Sequence, residues 1–239
     1  MVQGAVWSDL NLDGYPDLVL ACEWGAIQMF QNNQGVLETW NPEVVWDRGD
    51  SKERMPLAEL TGWWRGMNAG DFDGDGRLDL LVANWGLNDD YVASSDHPLE
   101  LYYGDFSGTS RTDLLETRYA TGLNAQVPVR NFNELRQNIP ALQTFQTHRK
   151  FSGVTMTELI PLLPGNARKV TATVLESVIL LNRGIHFELV PLPDEAQWSP
   201  AFSVHIADVD NDGHEDAFLS QNVFATRPTW PRLDAGRGL

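Results

Sequence analysis

The chain has 239 residues, 42% of them hydrophobic, which is enough for a substantial core in one large domain or a few repeated units. Its 33 acidic residues against 17 basic give a formal net charge of -16, which argues against nucleic acid or an anionic membrane surface as a partner. No apolar run reaches the length of a membrane-spanning helix, so membrane insertion is not expected, and the single Cys22 excludes an internal disulfide and reads as a small buried hydrophobe.

The first element is an acidic loop, Asp9-Leu10-Asn11-Leu12-Asp13-Gly14-Tyr15-Pro16-Asp17, leading into the apolar strand Leu18-Val19-Leu20-Ala21. A turn is expected at Trp24-Gly25, then a strand over 26–31, a hairpin turn at Asn32-Asn33-Gln34-Gly35 and a short strand over 36–38. Arg48-Gly49-Asp50-Ser51 contains the tripeptide that integrins recognise, in a polar and exposed stretch. A three-residue match carries little weight.

The second loop, Asp71-Phe72-Asp73-Gly74-Asp75-Gly76-Arg77-Leu78-Asp79, is the most regular and precedes Leu80-Leu81-Val82-Ala83. Carboxylates on alternate positions around glycines suit a hard cation. Calcium takes about six to eight oxygens at about 2.3–2.6 Å, supplied here by positions one, three, five and nine and by the carbonyl of position seven. Without a cation, four aspartates this close repel one another or bind protons. An EF-hand is excluded, because its twelfth position must be a bidentate Glu between helices, whereas Val82 stands there in a short apolar strand.

A worn copy, Asp105-Phe106-Ser107-Gly108-Thr109-Ser110-Arg111-Thr112-Asp113, keeps the end aspartates but lacks the Gly after its fifth position. The fourth, Asp208-Val209-Asp210-Asn211-Asp212-Gly213-His214-Glu215-Asp216, is again complete. The expected ligands are therefore Asp9, Asn11, Asp13, Tyr15 and Asp17; Asp71, Asp73, Asp75, Arg77 and Asp79; and Asp208, Asp210, Asp212, His214 and Asp216. Tyr15, Arg77 and His214 act through their carbonyls, and Asp105, Ser107, Thr109, Arg111 and Asp113 form a weaker set. About three calcium ions are expected, with a fourth, weaker site.

The loops begin 62, 34 and 103 residues apart. The middle interval is short for a four-stranded blade, so Leu99–Tyr103 serves two neighbouring units or one blade is incomplete. The long interval holds helical signals: Asn131-Phe132-Asn133-Glu134 resembles a capping box with Leu135 and Ile139 on one face, ended near Pro140. Thr155-Met156-Thr157-Glu158 is another, cut short by Pro161. A hairpin over 178–190 then repeats the earlier strand pattern. Short strands with a loop at a fixed place predict an all-β fold, a β-propeller with blades over 1–130, a small helical insertion within a blade over 131–165, and blades again over 166–239.

The repeated loops, together with Gly62-Trp63-Trp64, Asn84-Trp85-Gly86-Leu87-Asn88, Tyr102-Tyr103-Gly104-Asp105-Phe106, Leu192-Pro193 and Gln197-Trp198-Ser199-Pro200, resemble FG-GAP or VCBS repeat proteins, the calcium-loop propellers that include the integrin α-subunit head. The closer likeness is to bacterial secreted, cartilage-acidic-protein-like members that often carry an ASPIC/UnbV domain. No ASPIC/UnbV segment is recognisable. Three good loops and a worn one supply at most about four blades, at the lower limit for closure. Residues 232–239 read as though another strand follows, so an incomplete propeller within a longer chain with further blades is expected.

No His-Glu-x-x-His pair occurs among the five His residues, and no nucleophile elbow, phosphate cradle or Walker lysine is present. The tryptophans, among them Trp63, Trp64 and Trp85, are read as packing rather than as a sugar platform. The expected function is a non-catalytic, calcium-binding scaffold for a protein or glycan ligand. The N-terminus has no signal-peptide pattern; a chain whose leader has been removed fits an extracellular, cell-surface or periplasmic setting, where calcium is abundant. The alternatives are the propeller of a polysaccharide lyase or hydrolase, and a purely structural repeat of a large surface protein.

Overall fold

The computed structural model describes residues 1–224 and 231–237. Gly238 and Leu239, at the end of the stretch expected to lead into a further strand, lie outside the described residues. Two compact units are formed, one from Met1–Asp90 with Val174–Leu239 and the other from Tyr91–Thr173.

The first unit opens with β1 (Val2–Ser8), β2 (Asp17–Ala26), β3 (Gln28–Asn33) and β4 (Val36–Trp40), an antiparallel meander in that order. The β3–β4 turn is Gln34-Gly35 with φ of 54° and 98°, the two left-handed residues a tight hairpin needs. Trp24-Gly25, expected as a turn, is instead a kink inside β2. Trp24 takes φ 57°, the register slips, and the rest of β2 leaves β1 for a new partner. β5 (Glu43–Asp47) and β6 (Lys52–Pro56) form a hairpin whose exposed loop is Arg48-Gly49-Asp50-Ser51. Arg48 lies over the Trp46 ring, 3.6 Å from its centroid, and 3.6 Å from the Glu53 carboxylate. The new partner of β2 is β7 (Thr61–Trp63), and β8 (Met67–Gly70) and β9 (Asp79–Val82) form the next antiparallel pair.

The second unit has its own sheet of β10 (Leu99–Gly104), β11 (Asp113–Ala120), β12 (Ala125–Pro128) and β13 (Arg168–Ala172), in the order β12-β11-β10-β13. Leu99–Tyr103 thus lies inside one sheet, between β11 and β13. The helices are α1 (Phe132–Asn138), α2 (His148–Phe151) and α3 (Met156–Leu159). Asn131 caps α1 by accepting the Glu134 N–H at 3.0 Å, and Glu158 caps α3 by accepting the Thr155 N–H at 2.8 Å. Phe132, Leu135 and Leu159 of the helices are buried in one cluster with Leu115 of the sheet and Phe106 of the loop between β10 and β11. Each such side chain contributes about 1.5–3 kcal/mol of transfer free energy.

The chain then returns to the first unit with β14 (Val178–Asn182), β15 (His186–Pro191), β16 (Ala201–Ala207) and β17 (Asp216–Gln221). A six-stranded sheet runs β6-β5-β15-β14-β9-β8, so β8-β9-β14-β15 repeats the meander of β1-β2-β3-β4. The Tyr91–Thr173 segment falls in sequence between the second and third strands of that repeat. β5 joins β15 in parallel, and among the described residues β16–β17 repeat the first two strands. The leading strand β8 packs against β1 and against β16. Glycine permits this approach: a Cβ on Gly4 would lie 2.4 Å from the Arg65 carbonyl oxygen, and one on Gly66 2.6 Å from that of Phe202. Val19, Ala21, Leu80, Val82, Val178 and Leu180 alternate into the core, beside the fully buried Trp64. Trp63 sits between Trp24 and Trp85, each ring centroid 4.9 Å away. The sheets make the fold mostly β.

Candidate metal centre

Each acidic loop joins the first strand of a pair to the second, and all four close with one hydrogen-bond pattern. The first Asp accepts the N–H groups of the fifth and sixth residues: Asp9 from Asp13 and Gly14, Asp71 from Asp75 and Gly76, Asp105 from Thr109 and Ser110, Asp208 from Asp212 and Gly213, at 2.8–3.1 Å. The last Asp accepts the N–H of the second residue: Asp17 from Leu10, Asp79 from Phe72, Asp113 from Phe106, Asp216 from Val209. In the three full copies the fifth residue also accepts from the seventh, Asp13 from Tyr15, Asp75 from Arg77 and Asp212 from His214.

The fourth and sixth positions are left-handed in every loop. They are Leu12 and Gly14, Gly74 and Gly76, Gly108 and Ser110, Asn211 and Gly213, with φ between 60° and 90°. Left-handed residues at these places turn the N–H groups of the fifth and sixth residues toward the first Asp, and this is why glycines punctuate the aspartates. The worn loop keeps the backbone path although Ser110 stands where the others have Gly. It lacks carboxylates at the third and fifth positions, where Ser107 and Thr109 bond to each other at 2.8 Å.

Carboxylate oxygens of Asp71, Asp73 and Asp79 lie within 4.8 Å of one another, as do those of Asp208, Asp210 and Asp216. Among the described residues no such group of three carboxylates forms from Asp9, Asp13 and Asp17, where Asn11 holds the third place, or around Asp105 and Asp113. Asp75 and Asp212 stand outside the converging groups, and Asp75 is ion-paired to the Arg77 guanidinium. Arg183, from the β14–β15 turn, pairs with Asp73, lies 3.6 Å from Asp75 and also bonds Glu188 at 3.1 Å. This hydrogen bond holds the Asp73 carboxyl below its ordinary range.

Asp17 and Asp79 are fully buried. Burial pushes both carboxyls above their ordinary pKa, against the N–H groups that favour the charged form, and the neighbouring aspartates push them further. A set of crowded carboxylates that offers only oxygen, with one of them buried in loop 71–79, fits a hard divalent cation such as calcium rather than a soft one.

Two residues outside the loops complete the arrangement, and the sequence reading passed over them. Asn32 donates its N–H to Asp17 at 2.9 Å, and Asn182 donates its N–H to Asp79 at 2.7 Å. Each stands at or next to the end of its strand, two or three residues before a turn Gly, and each accepts that glycine's N–H. The recurring Asn at that place is the signal that marks them.

No curated protein and no solved structure matches the chain significantly. Residues 9–82, the segment from the first acidic loop to the end of β9, match the model of the FG-GAP-like repeat.

Proposed function

We propose that this chain is a calcium-stabilised segment of a β-propeller that works outside the cytosol as a non-catalytic scaffold for a protein or glycan ligand. The observation that carries this reading is the convergence of Asp71, Asp73 and Asp79, and of Asp208, Asp210 and Asp216, in loops with one shared backbone path. The repeated meanders and the packing of β8 against β1 and β16 support radially arranged blades. Asp71, Asp73, Asp75 and Asp79 would hold an ion with the Arg77 carbonyl. Asp208, Asp210, Asp212 and Asp216 would do so with that of His214, and Asp9, Asn11, Asp13 and Asp17 with that of Tyr15. A bound ion would supply the positive charge that buried Asp17 and Asp79 lack.

Binding to the folded chain alone couples calcium to stability. The ligand surface would lie on the loops at the ends of the strands. The likeness to secreted, cartilage-acidic-protein-like members belongs to the same proposal and fits a calcium-rich compartment. Calcium calorimetry on the metal-free chain tests it: uptake of about three ions is expected, and no uptake contradicts the reading. Release of unsaturated sugars from polysaccharides would favour the enzymatic alternative.

A further inference from the structure

Asn182 touches two acidic loops at once. Its N–H donates to Asp79, the last residue of the second loop. Its side-chain amide donates to the Leu78 carbonyl of that loop at 3.2 Å and to the Leu10 carbonyl of the first loop at 2.8 Å. Leu10 in turn donates its N–H to Asp17 at 3.1 Å. Two residues, Asn182 and Leu10, therefore connect two fully buried carboxylates, Asp17 and Asp79. Asn32 makes a useful contrast. It holds Asp17 by the same N–H contact, but its amide donates to Pro16, within the loop it already serves.

A buried hydrogen bond has no water to replace it when one partner moves. An ion that draws Asp79 into a fixed position also fixes Asn182, and with it the Leu10 carbonyl and the Leu10 N–H on Asp17. We infer that loops 9–17 and 71–79 bind calcium cooperatively, with Asn182 as the positioning residue that joins them. This rests on the reading of both loops as calcium sites. Coupling of this kind is reciprocal and typically changes affinity about five-fold or more.

The test uses the whole chain with loop 208–216 silenced by Asp210→Ala, which removes the third ligand altogether, titrated with calcium by calorimetry. Disabling the first loop with Asp13→Asn is expected to weaken binding at 71–79 about five-fold or more, and disabling the second with Asp73→Ala, which removes a converging carboxylate, is expected to weaken binding at 9–17 by the same factor. In the Asn182→Ser chain each loop should keep its affinity whether or not the other is disabled. Asn32→Ser should weaken loop 9–17 directly and leave the coupling in place. Unchanged affinities in the two aspartate variants overturn the inference while leaving the calcium sites intact. Absence of any calcium uptake overturns the calcium reading itself. If Asn182→Ser does not fold, the reciprocal pair of aspartate variants decides alone.

Discussion

Gly66 faces the carbonyl oxygen of Phe202 so closely that a Cβ would lie 2.6 Å away, in collision with backbone that has no rotamer to change. Gly66→Ala should therefore destabilise the first unit by about 2 kcal/mol, the cost of overpacking a tight contact. Gly14→Ala makes the comparison. Its Cβ would meet nothing within 4 Å, and the cost there comes from φ 88° alone. Thermal unfolding in calcium-free buffer should show the larger loss for Gly66→Ala; equal losses would mean that the β8–β16 contact yields.

Ser110 occupies with φ 60° the position that is Gly14, Gly76 or Gly213 in the other loops. Relief of left-handed strain outweighs the extra freedom a glycine gives the unfolded chain, so Ser110→Gly should stabilise the second unit by about 0.5 kcal/mol. Hydrogen exchange of β10 and β11 should slow; faster exchange would show that Ser110 is unstrained.

Arg183 places a positive charge against Asp73, in an ion pair about a third exposed, so its contribution to stability lies below about 1 kcal/mol and shrinks with salt. Arg183→Gln should cost little stability yet tighten calcium binding at loop 71–79, because a competing cation has gone. Calorimetry at low salt checks the direction. Weaker binding would make Arg183 a clamp that holds Asp73 in place.

In calcium-free buffer the folded-state pKa values of Asp17 and Asp79 lie above the ordinary 3.8. Their protonation thus favours the folded state: that contribution is full below pH 3.8 and is lost as pH rises through the raised values. Asp73 behaves oppositely, stabilising above its ordinary value and losing that as pH falls through its depressed one, below pH 3.8. As pH falls, protons bind the first pair before Asp73 and compete there with the ion. The gap in Tm between calcium-loaded and calcium-free chains should narrow as pH falls from about 7 toward 3.8; a widening gap would contradict this assignment.

What was legible in the sequence was local. The loop spacing, the Gln34-Gly35 hairpin and the caps at Asn131 and Thr155 each depend on neighbours within a few residues, and each was found where the pattern placed it. The pairing of Leu81 with Ile179 was not legible, because a complete folded unit intervenes and no residue near Leu81 records its partner. The parallel contact of Val45 with Glu188 has no local signature either. Trp24-Gly25 misled because a glycine beside a left-handed residue marks a bulge as well as a turn. Asn32 and Asn182 escaped because they stand 15 and 103 residues from the aspartates they serve, outside the loops themselves.

If calcium holds the acidic loops closed, its binding stabilises the folded chain. Thermal unfolding of the metal-free chain, with and without calcium in excess over its dissociation constant, tests this most directly. At about 100 times that constant one site contributes about 2.7 kcal/mol, so Tm should rise by several degrees. Superimposable unfolding curves would contradict it.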